Sequence, residues 1–206
     1  MKLTKLLRRG LPLLLALPVL LTAVTSCGDS DVPDGMKSVS PASVSFELFV
    51  PTSWADNSQS GTASAFYSAT DKSNVSMTCM VMDTDMTTLP EYAVYVDKSL
   101  KEALPGYALV VGSDSIAANE VDSGAVASSA TEESELPEGF TATKFCGLNA
   151  MQFEYTARME GKDYRFLQVV TAKGTYFYIL TYTAEAENYA GHLEDVELIA
   201  ENVRFK

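Results

Sequence analysis

The stretch DYRFLQVVTAKGTYFYILTYT, residues 163–183, decides the fold. It contains two runs rich in aromatic and β-branched residues, 163–172 and 175–183, on either side of Lys173-Gly174. Residues of these types favour extended backbone, and a short glycine-containing break between two such runs indicates a tight turn. The stretch therefore predicts an antiparallel β-hairpin.

Strand and helix patterns outside this hairpin extend the prediction. Thr88-Leu89-Pro90-Glu91 matches a helix capping box, and Pro105-Gly106 ends the helix that follows it. A second helix is predicted over 186–201. The remaining predicted strands are 44–50, 64–69, 75–82, 107–111, 141–157 and 202–206. These elements define an α+β fold, in which an antiparallel β-sheet packs with two main helices.

The N-terminal segment has the order of an export signal. Four basic residues precede an apolar stretch, 11–24, that is shorter than the roughly 20 residues a transmembrane helix needs. Val24-Thr25-Ser26-Cys27 then resembles the lipobox of bacterial lipoproteins. The resemblance implies that residues 1–26 are a lipoprotein signal peptide, that Cys27 is lipidated, and that the protein is anchored on the extracytoplasmic face of the cell membrane. The alternative is a plain signal peptide with a nearby cysteine.

Composition divides the mature chain into three parts. Residues 27–43 are rich in Gly, Ser, Asp and Pro, which predicts a flexible tether. The folded domain is predicted to span 44–206. Within it, residues 114–138 contain seven acids and no base, which predicts a mobile acidic loop. Such a loop is either a partner surface or simply a solvated segment.

Charge and cysteine content limit the possible partners. Without the four basic residues of the signal peptide, 11 Lys and Arg remain against 27 Asp and Glu, a net charge of −16. This surface repels phosphate backbones, so nucleic-acid binding is excluded and membrane contact is expected only through the lipid on Cys27. Cys79 and Cys146 either form one disulfide, as exported proteins allow, or remain thiols.

Several short motifs together resemble the PsbP-like family of α+β sandwiches (Mog1/PsbP, DcrB-related). The turn Val50-Pro51-Thr52-Ser53-Trp54 resembles the family's Val-Pro-x-x-Trp turn. The terminal strand Val203-Arg204-Phe205 also matches, and so does a Gly-x-x-Ala-x-x-aromatic-x-Tyr pattern carried by Gly147, Ala150, Phe153 and Tyr155. The resemblance covers about residues 44–206 and implies non-enzymatic binding or assembly work.

The residues that could carry chemistry are few. His192 is the only histidine and no Gly-x-Ser-x-Gly motif accompanies it, so a structural or surface role is expected. Asp83 and Asp85 are a candidate calcium pair, but they lack a full loop of ligands and precede a helix start, where acids are favourable anyway. Glu132, Glu133 and Glu135 are a candidate acid–base set, but they crowd a loop of low hydrophobicity.

These observations predict no catalytic, cofactor or metal site, and a protein that is not an enzyme. The predicted function is a lipid-anchored binding or assembly lipoprotein whose partner is another envelope protein or a small ligand. Two alternatives remain open: an envelope hydrolase that uses dispersed carboxylates, and a small-ligand-binding lipoprotein.

Overall fold

The computed structural model describes residues 32–112 and 135–206. Two α-helices, α1 (Leu89–Ala103) and α2 (Leu193–Asn202), accompany the strands, and a 3-10 helix (Tyr189–His192) precedes α2. The strands are β1 (Met36–Ser38), β2 (Phe46–Glu47), β3 (Phe49–Pro51), β4 (Ala55–Asp56), β5 (Thr62–Phe66), β6 (Asn74–Val81), β7 (Ala108–Val110), β8 (Phe140–Phe145), β9 (Leu148–Met159), β10 (Lys162–Lys173), β11 (Tyr176–Glu185) and β12 (Arg204–Phe205).

The main sheet is antiparallel and has the strand order β4-β5-β6-β11-β10-β9-β7. Strand β8 also pairs with β9, alongside its first half, whereas β7 pairs with its second half. The hairpin predicted at 163–183 is confirmed as β10 and β11, whose register runs from Tyr164 opposite Glu185 to Lys173 opposite Tyr176. The strands predicted over 64–69 and 75–82 form β5 and β6, which pair antiparallel, although residues 67–69 lie in the loop between them.

Each face of this sheet is covered by a different layer. On one face, Tyr92, Ala93 and Val96 of α1 pack against strand residues such as Phe153 and Phe177. On the other face, α2 and strands β1 to β3 cover the alternate strand residues, including Leu167, Leu180 and Tyr182. Side chains alternate between the faces of a strand, so long strands that are apolar at consecutive positions require cover on both sides. The α+β class with two main helices is confirmed.

The start of α1 forms as its sequence predicts. The backbone N–H of Glu91 donates to the Thr88 hydroxyl at 3.4 Å, and the Thr88 N–H donates to the Glu91 carboxylate at 2.9 Å. Both bonds satisfy backbone donors that would otherwise lack a partner at a helix start. The helix begins where it does because of this local chemistry.

The single strand predicted over 141–157 is wrong. Two strands, β8 and β9, occupy this range and reverse at Cys146-Gly147. Both turn residues have positive φ, 51° for Cys146 and 76° for Gly147. Two left-handed residues in succession fit the right-handed twist of a tight hairpin. Cysteine rarely adopts a left-handed conformation, so only Gly147 indicates this turn in the sequence.

The flexible tether predicted over 27–43 is wrong for residues 36–43, and the folded domain does not start at Val44. Strand β1 pairs with β3, and the side chains of Met36 in β1 and of Val39 just after it are buried. The strand predicted over 44–50 is divided at Leu48 into β2, which pairs with β12, and β3, which pairs with β1. Two isolated apolar residues in a polar background carry too little periodicity to indicate a strand.

The helix predicted over 186–201 forms as the 3-10 turn followed by α2. Cys79 and Cys146 are free thiols. Three strand spacings separate β6 from β9, about 14 Å, which is too far for a disulfide. The signal peptide, Cys27 and acidic-loop residues up to 134 lie outside the described residues. Within the described ranges, neither helix has the length and hydropathy to cross a bilayer.

Candidate functional site

A polar and aromatic cluster lies where the β3–β4 turn, the β5–β6 loop and the start of α2 meet. We call it the His192 cluster, and it consists of Trp54, Tyr67, Asp71, His192 and Asp195. Trp54 is fully buried, and its indole Nε1 donates to the Asp195 Oδ2 at 2.8 Å. A buried indole N–H needs such an acceptor. This bond fixes the first turn of α2 against the turn that follows β3.

His192 is held by a carboxylate. Its Nε2 lies 2.7 Å from the Asp71 Oδ2, a contact that becomes an ion pair when the imidazole is protonated. The other oxygen of Asp71 accepts from the N–H of Ser73 at 3.0 Å and from its hydroxyl at 2.6 Å. Desolvation raises the pKa of Asp71, but the hydrogen bonds from Ser73 and His192 outweigh it and hold the pKa below its usual 3.8.

Aromatic rings enclose the imidazole. The Tyr67 ring centroid lies 4.1 Å from that of His192, and the Trp54 ring packs edge-on at 6.0 Å. The His192 side chain is only 11% exposed, whereas Tyr67 is 39% exposed. Solvent, or a ligand, therefore meets this cluster mainly through the face of Tyr67.

The hydrogen-bond order in the cluster differs from that of a nucleophilic site. A serine nucleophile needs the imidazole as its base, with the carboxylate behind the imidazole. Here Ser73 bonds to Asp71 rather than to His192, so the carboxylate lies between the hydroxyl and the imidazole. The arrangement orients His192 and locks the loop before β6, and it does not activate Ser73.

An ion pair between a buried carboxylate and a partly exposed guanidinium lies on the same face of the sheet as α2. Glu154 on β9 is 4% exposed and accepts from Arg165 on β10, whose Nε lies at 2.7 Å and whose Nη2 lies at 2.5 Å. The Arg165 guanidinium also covers the Tyr189 ring at 4.5 Å. Burial, reinforced by the charge of Glu154, raises the pKa of the Tyr189 hydroxyl, so this tyrosine stays protonated.

The residues singled out from the sequence are placed as follows. His192 is part of the cluster, in the ion-pairing position just described. The Asp83 carboxylate accepts from the N–H of Thr84 at 2.7 Å in the turn before α1, and in residues 32–112 and 135–206 no three potential metal ligands converge, at Asp83 and Asp85 or elsewhere. Glu132 and Glu133 lie outside the described residues, and Glu135 is exposed.

Sequence reasoning missed the acidic partners of this region. Asp71 lies 121 residues from His192, and Asp195 lies 141 residues from Trp54. Neither acid belongs to a motif, and only tertiary contact brings each pair together. Glu154 was also missed, although it lies between the aromatic residues Phe153 and Tyr155 of β9, where a buried carboxylate requires a cation as its partner.

Comparison with solved structures supports the fold. No family model matches the chain, and no curated protein matches it in sequence. The solution structure of cyanobacterial PsbP (CyanoP) from Synechocystis superposes with a TM-score of 0.54 at 12% identity, covering 89% of this chain and 99% of CyanoP. PA94 of Pseudomonas aeruginosa, a protein of unknown function, gives a TM-score of 0.50 at 15% identity, covering 81% and 94%.

A longer protein is also similar. A crystal structure from Bacteroides thetaiotaomicron matches with a TM-score of 0.48 at 13% identity, covering 84% of this chain and 48% of that one. The chain thus spans about half the length of that protein. At these identities the likeness concerns the fold alone, and it is the PsbP-like α+β fold that the sequence motifs predict.

Proposed function

We propose that this protein is a lipid-anchored, extracytoplasmic binding or assembly module without enzymatic activity. The observation that carries the proposal is the lipobox-like run ending at Cys27, close ahead of a compact PsbP-like domain. CyanoP is by its name a PsbP protein. By analogy, the shared fold suggests a binding or assembly role for this chain. Fold alone does not carry function, so the analogy needs a direct test.

The chemistry of the His192 cluster agrees with this proposal. Asp71 is bonded through both oxygens, Oδ1 to Ser73 and Oδ2 to His192, and Asp195 is bonded through Oδ2 to Trp54. A general base must reach the proton it removes, and a carboxylate bonded on both sides is poorly placed for that work. The cluster is better suited to fixing the shape of a binding domain.

The anchoring part of the proposal is tested with Cys27→Ala in the full-length protein. Wild-type protein is expected in the membrane fraction with a lipid-modified N-terminal cysteine peptide by mass spectrometry. The variant is expected to lose both the lipid mass and membrane retention, because it has no thiol to carry the acyl chains that would anchor the protein. Equal membrane retention of the variant, with no lipid mass on wild type, would contradict the proposal.

The binding part is tested by in-cell crosslinking of full-length protein, with a secreted 28–206 form as control. A stoichiometric envelope protein that crosslinks to the anchored form supports an assembly role. Metabolite binding to the purified domain, without any protein crosslink, would instead favour a small-ligand lipoprotein. Turnover of envelope polymers by the purified protein would contradict the non-enzymatic proposal.

A further inference from the structure

Part of the sheet face on which α1 lies carries partly exposed polar side chains. Ala65 of β5, Met77 of β6 and Leu180 of β11 belong to the core on the α2 side, so the residues that alternate with them face the α1 side. These alternate positions are polar, uncharged and only partly buried. We call six of them the neutral face: Ser64, Asn74, Ser76, Thr78, Thr181 and Thr183.

The strand register arranges the neutral face in rows. Ser64 lies opposite Ser76, Ser76 lies opposite Thr181, and Thr181 lies opposite Gln168 of β10. Neighbouring strands are about 4.8 Å apart, so this row is about 14 Å long. The β propensity of threonine accounts for threonines on a strand face, but it does not account for the serines or for Asn74.

The hydroxyl groups of the neutral face have unused hydrogen-bonding capacity. Within residues 32–112 and 135–206, the hydroxyls of its two serines and three threonines bond to no other group. Gln168, at the inner end of the row, has a buried Oε1 that also lacks a hydrogen-bond partner among these residues. A hydroxyl both donates and accepts, and a buried acceptor is stabilised by a donor. The row therefore complements a ligand that is rich in hydroxyl groups.

The neutral face contains no charged residue, although residues 27–206 carry a net charge of −16. The nearest charges lie at its margins. In the next row of β11, Glu185 is paired with Lys162 at 2.5 Å. Lys72 lies in the loop before Asn74, and Asp83 lies in the turn after β6. An ionic ligand would find no opposite charge within the rows, so the composition favours an uncharged ligand.

Aromatic side chains border the neutral face. Phe66 of β5 lies on the same side of the sheet, is partly exposed, and packs against neither hydrophobic core of the described residues. On α1, the ring of Tyr95 lies 6.3 Å from that of Tyr92, which contacts Phe177 of β11 at 4.9 Å. Tyr95, which is 50% exposed, therefore lies on the side of α1 toward β11, and the exposed Glu102 follows two turns later. The face of an aromatic ring is electronegative and accepts the C–H face of a sugar ring.

We infer that the neutral face binds a neutral carbohydrate chain, through its hydroxyl rows and through Phe66 and Tyr95. One sugar unit is about as long as the 4.8 Å strand spacing, so successive units can meet successive strands. A protein partner is disfavoured, because protein interfaces are enriched in aromatic residues and Arg and depleted in Ser. The acidic residues 114–138 of this chain would find no cation in the rows. This assignment rests on the proposed binding role and names its ligand class.

The test measures binding of neutral hexasaccharides to the full-length protein, purified in a detergent without a sugar head group. Linear oligomers of glucose, mannose and xylose are the neutral probes. Hexagalacturonate, which carries a carboxylate on every ring, is the charged control. We expect a neutral hexamer to bind with a dissociation constant of about 1 mM or below, and hexagalacturonate to bind at least about tenfold more weakly. Titration calorimetry measures both.

Replacement of hydroxyls by methyl groups tests the surface. Thr181→Val/Thr183→Val removes two hydroxyls with little change in shape or β propensity, and we expect it to weaken binding at least about fivefold. Thr141→Val is the matched control, because Thr141 is exposed on β8 and faces the other side of the sheet from its neighbour Phe140. Phe66→Leu tests the aromatic border and should give an intermediate loss. Near-ultraviolet circular dichroism establishes that each variant folds.

Four outcomes overturn the inference. They are no binding of any neutral hexamer, equal binding of hexagalacturonate, binding that Thr181→Val/Thr183→Val leaves unchanged, and capture of a protein by a photo-crosslinking amino acid at Ser76 in cells. The last would leave the proposed binding role intact and give the neutral face a protein partner, either another protein or residues 114–138. Cleavage of a bound hexamer would support the carbohydrate site and contradict the non-enzymatic proposal.

Discussion

At the scale of single residues, the polar groups that matter lie in two pairs, and each pair has one largely buried member, His192 or Glu154. The Asp71–His192 pair and the Glu154–Arg165 pair lie on the α2 face of the sheet, and each joins two elements. A buried charge is tolerated only with a partner. Removing one member of a pair therefore lowers the free energy of unfolding by more than the intact pair adds to it. Two predictions follow from this asymmetry.

Asp71 should make stability depend on pH. Its folded-state pKa lies below the ordinary value of 3.8, so its contribution is present above that value and is lost as the pH falls through the folded-state pKa. We expect the difference in unfolding free energy between wild type and Asp71→Asn to be largest near neutral pH and to shrink below about pH 4. Urea titrations from about pH 2 to 7 measure it. Asp163→Asn, at a carboxylate that is 73% exposed, is the control and should show little of this dependence.

Arg165→Met should leave the Glu154 carboxylate buried without its cation. We expect a loss of about 2–3 kcal/mol in the free energy of unfolding, measured by urea denaturation at pH 7. Arg158→Met is the matched control, since its partner Asp163 is exposed and the change should cost under about 0.5 kcal/mol. The double variant Glu154→Leu/Arg165→Met should recover most of the loss. Equal effects of Arg158→Met and Arg165→Met would contradict this account.

At the scale of elements, local chemistry sets where chains reverse and where helices start. The capping box at Thr88 needs only four consecutive residues, and α1 begins where they predict. The β8–β9 turn needs two left-handed residues, and only one of them is glycine. The second of these features was missed because Cys146 adopts a conformation that its side chain disfavours.

Gly147→Ala should destabilise the protein through backbone conformation alone. An added Cβ meets no atom within 4 Å, but φ is 76°, so alanine pays the left-handed cost of about 1–2 kcal/mol. Gly191→Ala is the control, because its site is equally open and its φ is not in the left-handed range. Melting temperatures of the two variants, compared with wild type, distinguish conformational strain from loss of space. If Gly191→Ala lowered the melting temperature as much as Gly147→Ala, backbone strain at Gly147 would not be the cause.

At the scale of the whole molecule, the sheet needs cover on both faces, and the N-terminal segment supplies part of one cover. Met36 and Val39 bury their side chains in the same core as Leu48 and Trp54. Residues that look like a linker in the sequence are therefore part of the domain. The domain therefore begins before residue 44, at or ahead of Met36.

Removing this segment should weaken the whole domain. We expect the form 44–206 to be less stable than 28–206 by about 3 kcal/mol or more, because burial of each large apolar side chain contributes about 1.5–3 kcal/mol. Urea denaturation of the two purified forms measures the difference. The form 33–206 is the control and should match 28–206, since it keeps β1. Equal stability of 44–206 and 28–206 would show that β1 adds nothing to the core.

By itself, the sequence determined the features that depend on neighbours along the chain. Alternating aromatic and β-branched residues determined β10 and β11, the run from Thr88 to Glu91 determined the start of α1, and short motifs indicated the PsbP-like fold. The lipobox-like run at Cys27 belongs to the same class of local signals, and lipidation there remains a prediction. Such signals are readable because their energy comes from residues a few positions apart.

Only the tertiary structure decided what depends on distant residues. It brought Asp71 to His192 and Asp195 to Trp54, across 121 and 141 residues of sequence. It also drew residues 36–39 into the core. The physical reason is that burial and ion pairing depend on which surfaces meet once the chain has folded, and residues more than 100 positions apart carry no local record of that meeting.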